Sequence, residues 1–280
     1  MSARADVLAF YRELPFNYRT NAKQHADELR RANPLLDYPP LVALLRERPS
    51  LLDVGCGAGW LVNAAAWHYG CAARGIDFNP VVVERAREVA GELGTQGRFE
   101  VADLFEHRPA EKFDVVTSMG VLHSTNDCLG GVEHIGRSFV AHGGRMFIGL
   151  YHEYARRPFL AHFEAMRRRG ASEDAMYAEF RRLRVGSGVP DDDEVFALSW
   201  FRDQVLHPHE TTHTLAELLP LLSDLGYRVE STSINDFGPV PADPATLLFA
   251  EKKLAEHARR ALLAGRFVPG FFVFQARRTG

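Results

Sequence analysis

Residues 51–60 read Leu51-Leu52-Asp53-Val54-Gly55-Cys56-Gly57-Ala58-Gly59-Trp60. An apolar strand runs straight into glycines at alternate positions. Lacking Cβ atoms, Gly55, Gly57 and Gly59 let backbone N–H groups come close to a ligand and let the chain turn sharply into a helix. A nucleotide-binding βα unit needs that geometry. A dinucleotide fingerprint, G-x-G-x-x-G, would place its third glycine at position 60, where Trp60 stands. The pattern here is G-x-G-x-G following an acidic residue.

Outward from this turn the chain alternates strand and helix. Strands are expected at 51–54, 72–76, 98–101, 113–118 and 145–150, with helices at 59–69, 79–93 and 128–141. Near-continuous apolar strands alternating with helices predict a doubly wound α/β fold, a parallel sheet covered on both faces. Upstream, residues 4–13, 20–32 and 39–47 carry helical patterns, the first two separated by Leu14-Pro15-Phe16-Asn17-Tyr18. After Tyr151 the alternation breaks. Residues 155–200 read as charged helix interrupted by Gly186-Ser187-Gly188-Val189-Pro190, then helix 214–225, strand 227–234, helix 245–263 and strand 268–277 follow. In a doubly wound fold, 151–213 would lie over the carboxyl ends of the strands, where ligands bind.

The acid after the second strand of such a sheet reaches ribose hydroxyls. Here it is Asp77, in Gly75-Ile76-Asp77-Phe78-Asn79, 24 positions after Asp53. A carboxylate can accept from both hydroxyls at once; the alternative role for Asp77 is a helix N-cap.

The glycine turn, Asp77, Asp103 in Val101-Ala102-Asp103-Leu104-Phe105, and the segment Phe113–His123 occur in one order and spacing. Together they resemble the class I S-adenosylmethionine-dependent methyltransferases. The resemblance covers about 50–150 and implies a Rossmann-like seven-stranded sheet with S-adenosylmethionine across its carboxyl ends. It implies that Gly55, Cys56, Gly57 and Gly59 face the amino-acid end and that Asp77, with Phe78, holds the ribose. Asp103 would accept from the adenine amine with the Leu104 backbone beside it, and the backbone of Ser118, Met119 and Gly120 would touch the methionine part. Asp53, counted with this set, is expected to order the glycine turn. The domain reading is a helical lid at 1–48, a cofactor-binding core at 49–150, a helical insertion at 151–213 that also covers the substrate, and the rest of the core at 214–280.

The cofactor brings the reactive group, so the protein supplies position, desolvation and, for a hydroxyl or acidic carbon, a base. Aromatic faces suit a sulfonium, and Trp60, Tyr18 and Phe16 are the candidates to close over it. His123 is the first candidate base, then His207 or His209. Tyr18, Tyr151, His152, Trp200 and Arg202 are the candidate substrate contacts. His209-Glu210-Thr211-Thr212-His213 is a literal H-E-x-x-H. A zinc protease needs both histidines on one helical face, but Thr214 and Glu217 form a capping box that starts the helix after them. A metal held by His207, His209, Glu210 and His213 is the alternative chemistry. His25, His68 and His162 read as surface residues, and Phe271, Phe272 and Phe274 as strand and core.

Bulk properties fit this reading. The chain has 280 residues and a net charge of −3, which favours neither a nucleic-acid nor a membrane surface. Its 3 cysteines fall in no metal or disulfide spacing, as expected of a reducing cytoplasm. No signal peptide or membrane span is expected. The expected acceptor is a small molecule, methylated on oxygen or carbon, and the N-terminal helices could serve a homodimer. The rival readings are a nicotinamide-dependent oxidoreductase, against which the glycine spacing speaks, and a non-catalytic S-adenosylmethionine-binding domain.

Overall fold

A computed structural model describes residues 3–17, 19, 21–185, 193–241 and 243–280. Tyr18 and the Gly186–Pro190 break lie outside the described residues. Five strands follow the expected order: β1 (Leu51–Val54), β2 (Ala73–Asp77), β3 (Arg98–Val101), β4 (Phe113–Met119) and β5 (Val140–Tyr151). Two more, β6 (Tyr227–Thr232) and β7 (Phe271–Arg278), complete a seven-stranded sheet ordered β3-β2-β1-β4-β5-β7-β6. Every residue of β1 is buried, as a central strand covered on both faces requires.

Helices cover both faces. On one, α4 (Trp60–Tyr69) and α5 (Pro80–Leu93) bring Leu61, Val62, Val83, Ala86 and Val89 into a cluster with Leu51 and Val115. On the other, α6 (Cys128–Ser138) and α10 (Leu215–Asp224) bury Val132, Ile135, Leu218 and Leu222 against Val116, Ile148 and Phe274. Asn79, not Asp77, caps α5, its side chain accepting from the Val81 N–H.

Two expectations are corrected. The sheet is mixed, because β7 runs antiparallel to both β5 and β6. Helix α11 (Ala245–Leu263) does not cross a sheet face. It packs on α7 (Glu153–Arg168) above the carboxyl edge, so β7 starts at that edge, with Phe271 opposite Tyr151. The second correction concerns 139–145. Helix α6 stops at Ser138 and β5 begins at once, Val140 pairing with Phe113; Gly143, at φ 74°, lets the strand shift register before Arg145 pairs with Val115.

The N-terminal region supplies α1 (Ala3–Glu13), α2 (Ala22–Arg31) and α3 (Pro39–Leu45). The segment after β5 forms α7, α8 (Glu173–Arg184) and α9 (Glu194–Phe201), then one π-helical turn, Arg202–Leu206. Its helices share a separate cluster of Phe159, Phe163, Phe180, Leu183 and Phe201. The chain leaves the sheet at His152 and returns at His213. There the His213 N–H donates to the Tyr151 carbonyl at 2.9 Å and the Glu153 N–H to the His213 carbonyl at 3.0 Å. Among the described residues no helix is long and apolar enough to cross a membrane.

Candidate active site

A cavity of about 470 Å³ lies over the carboxyl ends of β1 to β4. The turn after β1 supplies Gly55, Cys56 and Gly57; Asp77 ends β2 and Phe78 follows it, Asp103 and Leu104 come after β3, and Met119 ends β4 with Gly120 next. The opposite wall is N-terminal: Val7 and Tyr11 from α1, then Pro15, Phe16 and Asn17, with His25 of α2 and Trp60 at one end.

The glycines make room. Gly55 has φ 74° and a Cβ there would sit 2.4 Å from Val121 Cγ2, so no larger residue fits. Gly57, at φ 51°, faces open space: a Cβ would meet nothing within 4 Å. The N–H groups of Gly55, Cys56 and Gly57 are already satisfied. Gly55 and Cys56 both donate to the Ile76 carbonyl, at 2.8 and 3.0 Å, and Gly57 donates to Asp77 Oδ2 at 3.0 Å. The turn therefore offers a close surface, while its rigidity comes from Asp77.

Asp77 also accepts from the Asn79 N–H at 2.9 Å, through Oδ1. Each carboxylate oxygen has a second lone pair for a ligand. Burial raises its pKa while the two backbone donors hold it down. Asp103 accepts from the Phe105 N–H at 2.8 Å, which fixes the carboxylate in the cavity wall. The two acids stand at the ends of adjacent strands, as two separated groups of one ligand would require.

Asp53, Gly59 and Ser118 do not line the cavity. Asp53 is buried and accepts from Thr117 Oγ1 at 2.6 Å, tying β1 to β4. Burial pushes its pKa up to about 7. Gly59 packs against Ala86, Asn63 and Phe99, letting α4 and α5 approach, and Ser118 is buried in β4.

The raised Asp53 pKa sets a pH dependence. The unfolded carboxyl ionises near 4, the folded one near 7. Stability associated with the neutral form is therefore fully present below pH 4 and is lost as pH rises to about 7. Asp53→Asn, which keeps the neutral shape, should remove this slope. Urea denaturation at intervals from pH 4 to 7 should show wild type losing stability relative to the variant. Parallel curves would refute the shift.

None of the candidate bases reaches the cavity. His123 is 3% exposed, stacks on Tyr151 at 4.0 Å between centroids, and its Nδ1 accepts from the Tyr151 N–H. Burial, then the Arg156 charge, drives its pKa well down. His207 lies behind Tyr11, 5.4 Å between ring centroids, with its pKa lowered by burial to about 4. His209 meets the Thr125 carbonyl through Nε2 at 3.0 Å.

The described candidate substrate contacts, Tyr151, His152, Trp200 and Arg202, do not line the cavity. Trp200 backs Phe16 at 4.9 Å, and Arg202 lies over Phe10 and pairs with Glu13 at 2.7 Å. His152 is fully buried, caps α7 and meets Glu251 at 2.9 Å. Tyr151 belongs to a polar network below α1. The metal alternative fails for a related reason: Glu210 is held by Arg156 at 2.7 Å, and His213 by Glu217 and Thr211, both at 3.0 Å. Among the described residues no group of three ligating side chains could hold a metal. Thr214 does cap α10, accepting from the Glu217 N–H, so the H-E-x-x-H stretch precedes the helix.

Sequence reasoning missed the roof and what stiffens it. Tyr11 lines the cavity and its hydroxyl donates to Asp203 Oδ1 at 2.6 Å. Gln204 Nε2 donates to Asp203 Oδ2 at 2.8 Å and also to the Tyr151 hydroxyl. Arg156 is fully buried and holds both Gln204 and Glu210. His25, expected on the surface, is 5% exposed and faces the cavity. Asp203 and Gln204 adjoin the candidate Arg202 in the chain, the one local pointer to them; a tyrosine in an amphipathic helix gives none for Tyr11.

Comparison with known proteins adds to this geometry. Residues 51–143 match the family described as a methyltransferase domain. Malonyl-[acyl-carrier protein] O-methyltransferase from Acetivibrio thermocellus is 29% identical over 144 residues, half of each chain. Ubiquinone biosynthesis O-methyltransferase from Actinobacillus pleuropneumoniae is 38% identical over 104 residues, 35% of this chain and 44% of the relative. The chain spans about half or less of the curated relatives it matches. The structure of PKMT2 from Rickettsia typhi in complex with AdoHcy superposes with a TM-score of 0.60 at 14% identity, covering 87% of this chain and 53% of that one. An S-adenosylmethionine-dependent methyltransferase from Mesorhizobium loti gives 0.50 at 23% identity, covering 86% and 97%. These likenesses show a shared fold.

Proposed function

We propose that this chain, whose residues 51–143 match a methyltransferase domain, is a class I S-adenosylmethionine-dependent methyltransferase and methylates an oxygen of a small molecule enclosed beneath α1. One observation carries the reading: Asp77 and Asp103 stand in a single cavity wall beside a turn whose Gly57 faces open space, roofed by Tyr11 and Phe16. Residues present fit the cofactor. Asp77 would hold the ribose diol, Asp103 and Leu104 the adenine, and Gly57, Met119 and Gly120 the amino-acid and sulfur region. When bound, S-adenosylmethionine supplies an electrophilic methyl group.

The chain's own residues supply enclosure and a base. The cavity volume must hold the cofactor together with the acceptor's reacting group, which favours a small acceptor. The relatives that match are O-methyltransferases, which favours oxygen. A base must reach the proton it removes, and Tyr11 is placed to do so beside Ser124 at the β4 end. Its hydroxyl oxygen takes the acceptor proton while its own proton passes to Asp203 Oδ1. Burial raises the Asp203 pKa, making the carboxylate a stronger proton acceptor. Gln204 and Tyr151 orient that carboxylate. The N-terminal lid, the 151–213 insertion stiffening it from behind, and a cytoplasmic setting belong to this same reading.

Isothermal titration tests the binding: S-adenosylhomocysteine should bind and NADH should not, and the reverse would support the oxidoreductase. Product S-adenosylhomocysteine formed with a panel of small phenols and hydroxy acids tests catalysis, and would exclude a non-catalytic binder. Tyr11→Phe should leave S-adenosylhomocysteine affinity within about twofold but lower turnover roughly a hundredfold or more. Unchanged turnover would remove the relay.

A further inference from the structure

We propose that the outer face of α11 docks on a membrane surface bearing anionic lipid. The inner face of this helix is occupied: Leu247, Glu251, Ala258 and Ala261 are buried, and α7 packs against it. The outer face is left to solvent. Phe249, Lys253, Glu256, Arg260 and Leu263 recur at intervals of three and four, which sets them in one stripe along the helix. Phe249 is 63% exposed and Leu263 is 89% exposed, the most of any large apolar side chain among the described residues. From Phe249 to Arg266 the exposed cations are Lys252, Lys253, Arg259, Arg260 and Arg266, against one exposed acid, Glu256.

Single exposed apolar residues are ordinary, but these two stand at opposite ends of a basic stripe. They are about 21 Å apart at the helical rise of 1.5 Å per residue. That is too far for one apolar pocket on a protein partner, whereas a flat surface meets both ends at once. Apolar side chains can enter the acyl boundary while lysine and arginine between them meet headgroup phosphates. Lys253 Nζ lies 4.4 Å from the Phe249 ring centroid, so ring and ammonium face the same way. Glu256 pairs with Arg260, which leaves Lys252, Lys253, Arg259 and Arg266 as the net charge of the face. The balance of −3 over the whole chain conceals this local excess. So many cations keep α11 from inserting as a span, and the contact is peripheral. The inference rests on α11 alone and stands whatever the crevice binds.

Co-sedimentation of the full chain with lipid vesicles tests it. Wild type should bind vesicles of phosphatidylcholine with about 30% phosphatidylglycerol roughly tenfold or more tightly than phosphatidylcholine alone, and should lose most of that binding in about 0.5 M salt. Lys252→Glu, Lys253→Glu and Arg259→Glu together should weaken binding roughly tenfold or more. Phe249→Ser and Leu263→Ser together should weaken it about fivefold. All five side chains are exposed, so each variant should keep a thermal midpoint close to that of wild type, which shows that it is folded. Wild type that ignores the anionic vesicles would overturn the proposal, as would binding that survives either set of substitutions. So would purified acyl carrier protein binding wild type in place of vesicles and failing to bind the triple variant, an outcome that assigns the face to an acidic protein.

Discussion

Asp77→Ala should weaken S-adenosylhomocysteine binding by about 3 kcal/mol or more, roughly a hundredfold or beyond. Two ribose hydroxyls donating to one ionised carboxylate are each worth about 1.5–3 kcal/mol in such a setting. The substitution also removes the acceptor for the Gly57 N–H, so the turn loses the bond that fixes it. Asp77→Asn should fall between, since its amide keeps one acceptor oxygen. Titration calorimetry, with the thermal midpoint as a folding control, measures both effects. A folded Asp77→Ala that binds within threefold of wild type would contradict the ribose assignment.

Arg156→Met should cost about 3–5 kcal/mol of stability. The guanidinium is fully buried. It meets Glu210 through Nε at 2.9 Å and Nη2 at 2.7 Å, and reaches Gln204 Oε1, the Gln204 carbonyl and the Pro269 carbonyl. It also lies 4.0 Å from the Tyr151 ring centroid. Truncation strands a largely buried Glu210 and several acceptors, and the penalty comes mainly from that stranded charge. Adding Glu210→Gln should therefore recover part of the loss, a coupling that a double-mutant cycle reads directly. Arg156→Lys should not rescue, because an ammonium cannot span the same acceptors. Urea denaturation showing a loss below about 1 kcal/mol would refute this role for the network. Because Gln204 also orients Asp203, the variant should lower turnover even where it remains folded.

What the sequence made legible follows from locality. The turn at 55–59, Asp77 and Asp103 are each set by a strand end and the few residues after it, so spacing along the chain carries them. The antiparallel β7 was hidden because its direction depends on α11 packing on α7, a contact between distant segments. Tyr11 and Asp203 lie 192 positions apart and meet only in the folded chain. The histidines misled because their chemistry is legible in sequence while burial is not. His123, His207 and His209 are held behind the wall, whereas His25, in an unremarkable charged helix, faces the cavity. Trp200 and Arg202 pack on Phe16 and Phe10 of the N-terminal segment, and neither lines the cavity.

One crevice over β1 to β4, lined by Asp77 and Asp103, is the proposed seat of the adenosyl cofactor. A crystal structure with S-adenosylhomocysteine measures this directly. The account predicts the sugar hydroxyls on Asp77, the adenine amine on Asp103 and the amino-acid end at the 55–59 turn. Ligand density elsewhere, or an empty crevice in crystals grown at saturating ligand, would contradict it.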